Sequence, residues 1–228
     1  MTNTIMGKIQ RFRLLILIGL PVFLFVSGCK KEKSEYYDFE LQVTAFDGNA
    51  LNYLESGSGK FDSLLLVIDM FPALKDSLRT QKLSVFAPVN SSFKEALREL
   101  NTVKFQEGEA PVALHDLDKG DLRTLVGRYF LEKKYTTDDY KESSDGFQAV
   151  SLDDGYLMSV QYLALDASGL SAAGPQVLFL TDTKGSIFDT DWVAAATSAV
   201  NIYTDNAVVN VLTPDHTFGF GEFSDKFK

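Results

Sequence analysis

Few residues in this 228-residue chain combine the types and spacing that chemistry requires. Cys29 is the single cysteine, so no disulfide can form within the chain and its thiol is a lone nucleophile. His115 and His216 are the only histidines, and neither has a second histidine or a cysteine at metal-ligand spacing, so no zinc site is expected. Asp138 with Asp139 and Asp153 with Asp154 are the carboxylate pairs that calcium binding or glycoside cleavage would draw on. Neighbouring carboxylates on a strand point to opposite faces and do not set the separation a glycosidase needs, which favours turn and cap roles for them. Ser58, between Gly57 and Gly59, lacks the glycines two positions away that a nucleophile elbow requires. Gly219, Phe220 and Gly221 lack the third glycine and following helix of a dinucleotide loop. No catalytic residue, metal or cofactor is expected, and the chain reads as a non-enzyme.

The surroundings of Cys29 give it a different use. Lys8, Arg11 and Arg13 make a basic start, and Leu14 to Val26 is almost wholly apolar, the pattern of a secretory signal. The run is shorter than the roughly 20 residues of a membrane-spanning helix and is interrupted by Gly19 and Pro21. Val26, Ser27, Gly28 and Cys29 resemble a bacterial lipoprotein processing site. That resemblance implies acylation of the Cys29 sulfur, a new amino terminus there, and a membrane contact through the lipid anchor, made firm by two or three chains. Residues 1–28 are then a lipoprotein signal peptide, 29–38 a lipidated tether and 39–228 the folded domain. Lys30 after the cysteine does not resemble the inner-membrane retention signal, in which Asp follows, so an outer-membrane lipoprotein is expected. The run KKEKSE loosely resembles a surface-export tag, which makes it surface-exposed, with a periplasm-facing domain as the alternative.

Lys8, Arg11 and Arg13 are the only charged residues of the signal. Without them the 22 Lys and Arg fall to 19 against 31 Asp and Glu, a net charge of about −12. Such a surface repels nucleic acid and anionic headgroups, so no nucleic-acid partner is expected. A 45% hydrophobic composition over this length buries a substantial core as one domain.

The elements that must position any site follow from periodicity. Phe61, Leu64, Leu65, Ile68 and Phe71 predict a helix ended by Pro72, and a second short helix carries Leu74 and Leu78. In KLSVFAPVNSSF, Leu83 and Val85 alternate in strand fashion, Pro88 halts the strand, and Asn90 is placed to cap the helix carrying Phe93, Ala96 and Leu97. Leu122, Leu125, Val126 and Tyr129 predict another helix, with Asp121 near its start. From Phe147 to Leu165 the pattern is a hairpin turning at Asp153, Asp154 and Gly155. Val177 to Leu180 and Val208 to Leu212 read as strands, Asp166 to Gly174 as a loop, and Phe218 and Phe220 as a last extended segment. Helices early and strands late argue for α+β.

With these elements placed, the sequence resembles the fasciclin-like (FAS1) domain family. Phe86, Ala87, Pro88, Val89, Asn90, Ser91, Ser92 and Phe93 match a first motif, approximately Phe-Ala-Pro-Thr-Asn-x-Ala-Phe, with Val89 for Thr and Ser92 for Ala. The run Asn206 to Thr213 aligns with a second, approximately Asn-Gly-x-x-His-x-x-Asp, with Gly, His and Asp replaced. A Tyr-His pair linked to adhesion in the family corresponds to Tyr129 and Phe130. The resemblance implies a single FAS1 domain, helices packed on a mostly antiparallel β-sandwich or wedge, with insertions around Asn101 to Lys119 and Asp166 to Asp191. It also implies adhesion or binding, with a protein or glycan as partner. Partner-contact candidates are Tyr129, Phe130, Asn206, Asn210 and, within the second insertion, Trp192, although core packing is the favoured reading for Tyr129. The expected function is a lipid-anchored envelope binding module, able to serve glycan capture. A self-associating architectural protein is the alternative, and a carbohydrate-active enzyme ranks third.

Overall fold

Chain order in the computed structural model is β1 (Thr44–Ala45), α1 (Ala50–Ser56), α2 (Asp62–Asp69), α3 (Pro72–Thr80), β2 (Leu83–Ala87), α4 (Asn90–Gln106), α5 (Lys119–Gly127), β3 (Phe130–Leu131), α6 (Thr137–Lys141), β4 (Phe147–Val150), β5 (Leu157–Ala164), β6 (Gln176–Asp182), β7 (Val193–Tyr203), β8 (Ala207–Leu212) and α7 (Phe223–Phe227), with single 3-10 turns at Leu114–Asp116 and Asp189–Asp191. The structure describes residues 44–143, 146–152, 154–166 and 174–228, all within the unit Phe39–Lys228. Cys29, the signal and tether assignments, and Asp153 lie outside the described residues.

The early helices form for local reasons. Asn49 caps α1 through a capping box in which its Oδ1 accepts from Asn52 N at 3.0 Å and Asn52 Oδ1 accepts from Asn49 N at 3.3 Å. Pro72 does not end a helix reaching Phe71. α2 stops at Asp69, and Pro72 opens α3 as its first residue, where its missing N–H costs nothing. The apolar stripes bury Leu64, Val67 and Ile68 from α2 and Leu74 and Leu78 from α3.

The strands form one path in the order β3-β2-β8-β7-β6-β5-β4, with β1 added beside β7. Among the described residues only β2–β8 and β1–β7 pair parallel, so the sheet is mostly antiparallel. Its ends nearly close into a barrel: Leu131 bridges Ser151, Glu132 N donates to Val150 O at 2.9 Å, and Leu152 N donates to Phe130 O at 2.8 Å. The molecule is thus α+β, with helices flanking a barrel-like sheet. The parallel β2–β8 pair sets Val85 against Val209 and Phe86 against Asn210, which brings the two sequence motifs side by side.

Several expectations are corrected. β7 was not legible as a strand and yet pairs with β6 and β8. Its register shifts twice between Thr197 and Ile202, where Asn201 takes φ +55° in a bulge. Residues 101–106 complete α4, and the strand expected at Val177 to Leu180 extends over Gln176–Asp182 as β6, inside the sheet. Phe218 and Phe220 are not extended. Gly219 (φ +93°), Phe220 (φ +51°) and Gly221 (φ +79°) coil the chain into turns, and the short helix α7 follows.

Candidate functional site

α5 ends at Gly127 and β3 begins at Phe130, so Arg128 and Tyr129 fill a two-residue joint. Tyr129 therefore lies beyond the helix it was assigned to, and the backbone bond from Phe86 N to Tyr129 O at 2.8 Å ties the joint to β2. Its side chain is fully buried. The phenol oxygen accepts from Gly219 N at 2.8 Å and lies 2.8 Å from His216 Nε2. With the backbone N–H as donor, the phenol donates in turn, which makes Nε2 the acceptor and places the imidazole proton on Nδ1. Burial lowers the His216 pKa to about 4, with Asp215 opposing only in part, and burial also raises that of Tyr129. Both rings are neutral at neutral pH, and this hydrogen bond needs them so. Phe218 and Phe220 stack on Tyr129 with centroids at 5.2 and 4.9 Å, and Phe93 stacks on Phe218 at 4.3 Å. The arrangement is a latch for the carboxyl-end turn. A phenol held protonated beside an imidazole held neutral is poorly matched to proton transfer near pH 7.

Arg128 faces a second buried cluster. Its Nη1 lies 2.7 Å from Asp182 Oδ2 and 3.1 Å from Glu222 Oε1, and the guanidinium sits over the Tyr156 ring at 4.3 Å. Asp182, fully buried, also accepts from Tyr156 Oη at 2.6 Å and from Lys184 N at 2.8 Å. Burial works against the arginine's charge, but Glu222 and Asp182 outweigh it and hold its pKa above the ordinary value. Burial and the bond to Asp182 raise that of Tyr156. α5, the β4–β5 turn, β6 and the carboxyl-end turn are thereby fastened at one point.

The motif asparagines are structural fasteners as well. Asn206 Oδ1 accepts from Ala50 N at 3.0 Å, while Nδ2 donates to Leu78 O at 3.1 Å and Gln81 O at 2.8 Å, closing the start of α1 and the end of α3 together. Asn210, fully buried, accepts from Asn201 N at 3.1 Å and supports the bulge; Asn201 in turn bonds Thr137 at the start of α6. Asn90 does not cap its own helix: its Oδ1 accepts from Ser63 N at 2.8 Å and its Nδ2 donates to Gly59 O at 3.0 Å, so it caps α2 from a distance. Phe130 is fully buried in β3. Tyr129, Phe130, Asn206 and Asn210 therefore present no side chain at the surface, and the structure does not gather them into a binding face.

The acidic pairs fill local roles. Asp139 Oδ2 accepts from Thr136 N at 2.7 Å in the α6 capping box, Asp138 pairs with Lys141 at 2.7 Å, and Asp154 takes the positive-φ place (+44°) in the hairpin turn. His115 is exposed, 3.3 Å from Asp116. Among the described residues no group of three or more His, Cys, Asp and Glu side chains is placed to hold a metal ion, and no helix is long and apolar enough to cross a membrane.

Trp192 is half-buried, and its Nε1 donates to Ser186 O at 2.8 Å. It braces the β6–β7 loop instead of offering an open ring face. Ser186 Oγ donates to Asp191 Oδ2 at 2.7 Å and accepts from Phe188 N at 3.1 Å, and the 3-10 turn Asp189–Asp191 completes the frame. At the tip of this braced loop, Ile187 is 87% exposed and Phe188 64% exposed. The apolar pair inside the polar run TDTKGSIFDTD was the sequence signal for it.

Fold and geometry together define an α+β protein with a nearly closed sheet, internally fastened motifs and an exposed apolar loop tip. No family model matches the sequence, and no curated protein matches it. Among solved structures the chain is similar to a FAS1 domain pair from the insect cell adhesion molecule Fasciclin I, with 13% identity and a TM-score of 0.46, over 75% of this chain. It spans 46% of that chain's length.

Proposed function

We propose that this chain is a lipid-anchored, fasciclin-like adhesion module of the outer membrane, tethered through Cys29, which engages a protein partner through the β6–β7 loop. The reading is carried by the loop tip: Ile187 and Phe188 are exposed on a frame ordered by Trp192, Ser186 and Asp191. An ordered apolar tip loses little conformational freedom on docking, which favours binding. An isoleucine beside a phenylalanine fits an apolar pocket of a protein better than the face of a sugar ring, and Asp189 and Asp191 beside them fit a basic rim. The wedge of two sheet faces, and service to glycan capture at the cell surface, belong to the same reading.

The test is a photo-crosslinking residue at position 188 in intact producing cells, with Lys94 on α4 as the control site. A discrete protein adduct at 188, absent at 94 and abolished by Ile187→Ser, is expected. Adducts equal at the two sites, or none, would overturn the loop assignment, and a glycan adduct would replace the protein partner. Cys29→Ala should move the chain from the membrane to the soluble fraction, and protease shaving of intact cells should release domain peptides.

A further inference from the structure

The outward side of β4, β5, β6 and β7 has an unusual composition. The inward positions of these strands, such as Met158, Val160, Leu178, Leu180 and Ala195, are buried; of the alternate positions Gln161, Leu163 and Ser198 are exposed and Val177, Phe179 and Ala196 half-buried, while Ser159 and Thr181, one row away, are buried. In register, Gln161 lies beside Phe179 and Phe179 beside Ala196, while Leu163 lies beside Val177 in the next row. Leu157 is 53% and Leu163 45% exposed. Outward positions of these four strands, through Ser198, include no Asp, Glu, Lys or Arg. Charged residues make up 23% of the chain, which carries a net −9, so the uncharged face that Gln161, Leu163, Val177, Phe179, Ala196 and Ser198 make across β5, β6 and β7 stands apart from that composition.

We infer that this face is the surface through which two copies of the chain pair, face to face about a two-fold axis. Two acidic copies repel wherever their charged surfaces meet, and the cost vanishes only where the facing surfaces carry no charge. An isologous contact brings the same patch from both sides, so a neutral apolar patch is complementary to itself. The pairing is face-on because the sheet's terminal strands meet at the Leu131–Ser151 bridge and offer no long free edge for strand addition. A sugar polymer would need open aromatic planes, and Phe179 is half-buried. This goes beyond the loop-tip reading and uses a different surface.

The experiment is sedimentation velocity of the full chain in density-matched detergent across a concentration series, comparing wild type, Leu163→Lys, Leu163→Glu and an equimolar mixture of the two. Wild type is expected to dimerise, each charged variant to weaken the dimer by about tenfold or more, and the mixture to recover it. Unfolding midpoints of both variants should match wild type, since Leu163 is half exposed. A monomer at every concentration, a dimer indifferent to both variants, or a mixture that fails to recover would overturn the inference. Ile187→Ser should leave the dimer intact while removing the crosslink at position 188; loss of the dimer in that variant would place self-contact on the loop and overturn the sheet-face assignment.

Discussion

Replacing Asn206 with alanine tests whether the second motif is a fastener. The bonds from Asn206 to Ala50 N and to Leu78 O are buried, and Ala50 itself has no exposed surface. Truncation strands one donor and one acceptor away from water, at about 1–3 kcal/mol each, while Gln81, exposed, regains solvent for its carbonyl. The expected loss is about 3 kcal/mol. For a domain of this size each 1 kcal/mol moves Tm by about 2–4 °C, so the melt should fall by about 6–12 °C with an unchanged denaturant slope. Asn206→Asp supplies a sharper arm. It keeps the acceptor for Ala50 but turns a carboxylate on two carbonyl oxygens, so at neutral pH it should lose at least as much as the alanine variant. The folded state then favours the protonated carboxyl, which puts the folded pKa above the unfolded one. Its stability is best in acid and is lost as pH rises through the folded value. Thermal and urea unfolding by circular dichroism measure both. A shift under about 2 °C for Asn206→Ala, or an aspartate variant more stable than the alanine at pH 7, would refute the fastener.

His216, lowered to about 4 from an ordinary 6.5 by burial, should make the fold acid-sensitive. The unfolded chain takes up the proton that the folded one refuses, so this contribution is full above pH 6.5 and fades by about 3 kcal/mol toward pH 4. Urea unfolding across that range should show a shallower decline in His216→Gln. Asp182→Ala leaves Arg128 facing Glu222 in a buried site and should cost about 3 kcal/mol, little altered by salt, as read from unfolding at low and high ionic strength. Asn90→Ala should cost about 1 kcal/mol by uncapping α2, and hydrogen exchange should locate the loss at Ser63 and its neighbours instead of at the start of α4.

The motif around Phe86 to Phe93 was readable because strand, proline and helix follow one another and each carries its own local signal; β2 and α4 fall where alternation and period place them. The hairpin at Asp154 and Gly155 was readable for the same reason, both residues taking positive φ. β7 was not, because the alanine run at 194–196 opens VAAATSAVNIY and the bulge at Asn201 breaks the alternation of its strand formers, so its conformation comes from neighbours on both sides. Pro72 misled because proline marks a helix start as readily as an end. Phe218 and Phe220 alternate with glycines as a strand might be written, yet Gly219 and Gly221 take left-handed conformations. Tyr129 with His216, and Arg128 with Asp182, lie too far apart in sequence for any spacing rule to join them. Asn206 could be read as a motif residue, while its task of closing two helix ends could not.

The parallel pairing of β2 with β8 also bears on how the chain acquires its shape. β2 ends at residue 87 and its neighbour begins at 207, so a chain delivered from its amino end carries one of its central strands half-paired while everything between is made. The helices can form early, but sheet closure must await the last strand, which makes folding slow and governed by long-range contacts. A segment held open in this way stays within reach of chaperones and proteases until its last strand is made.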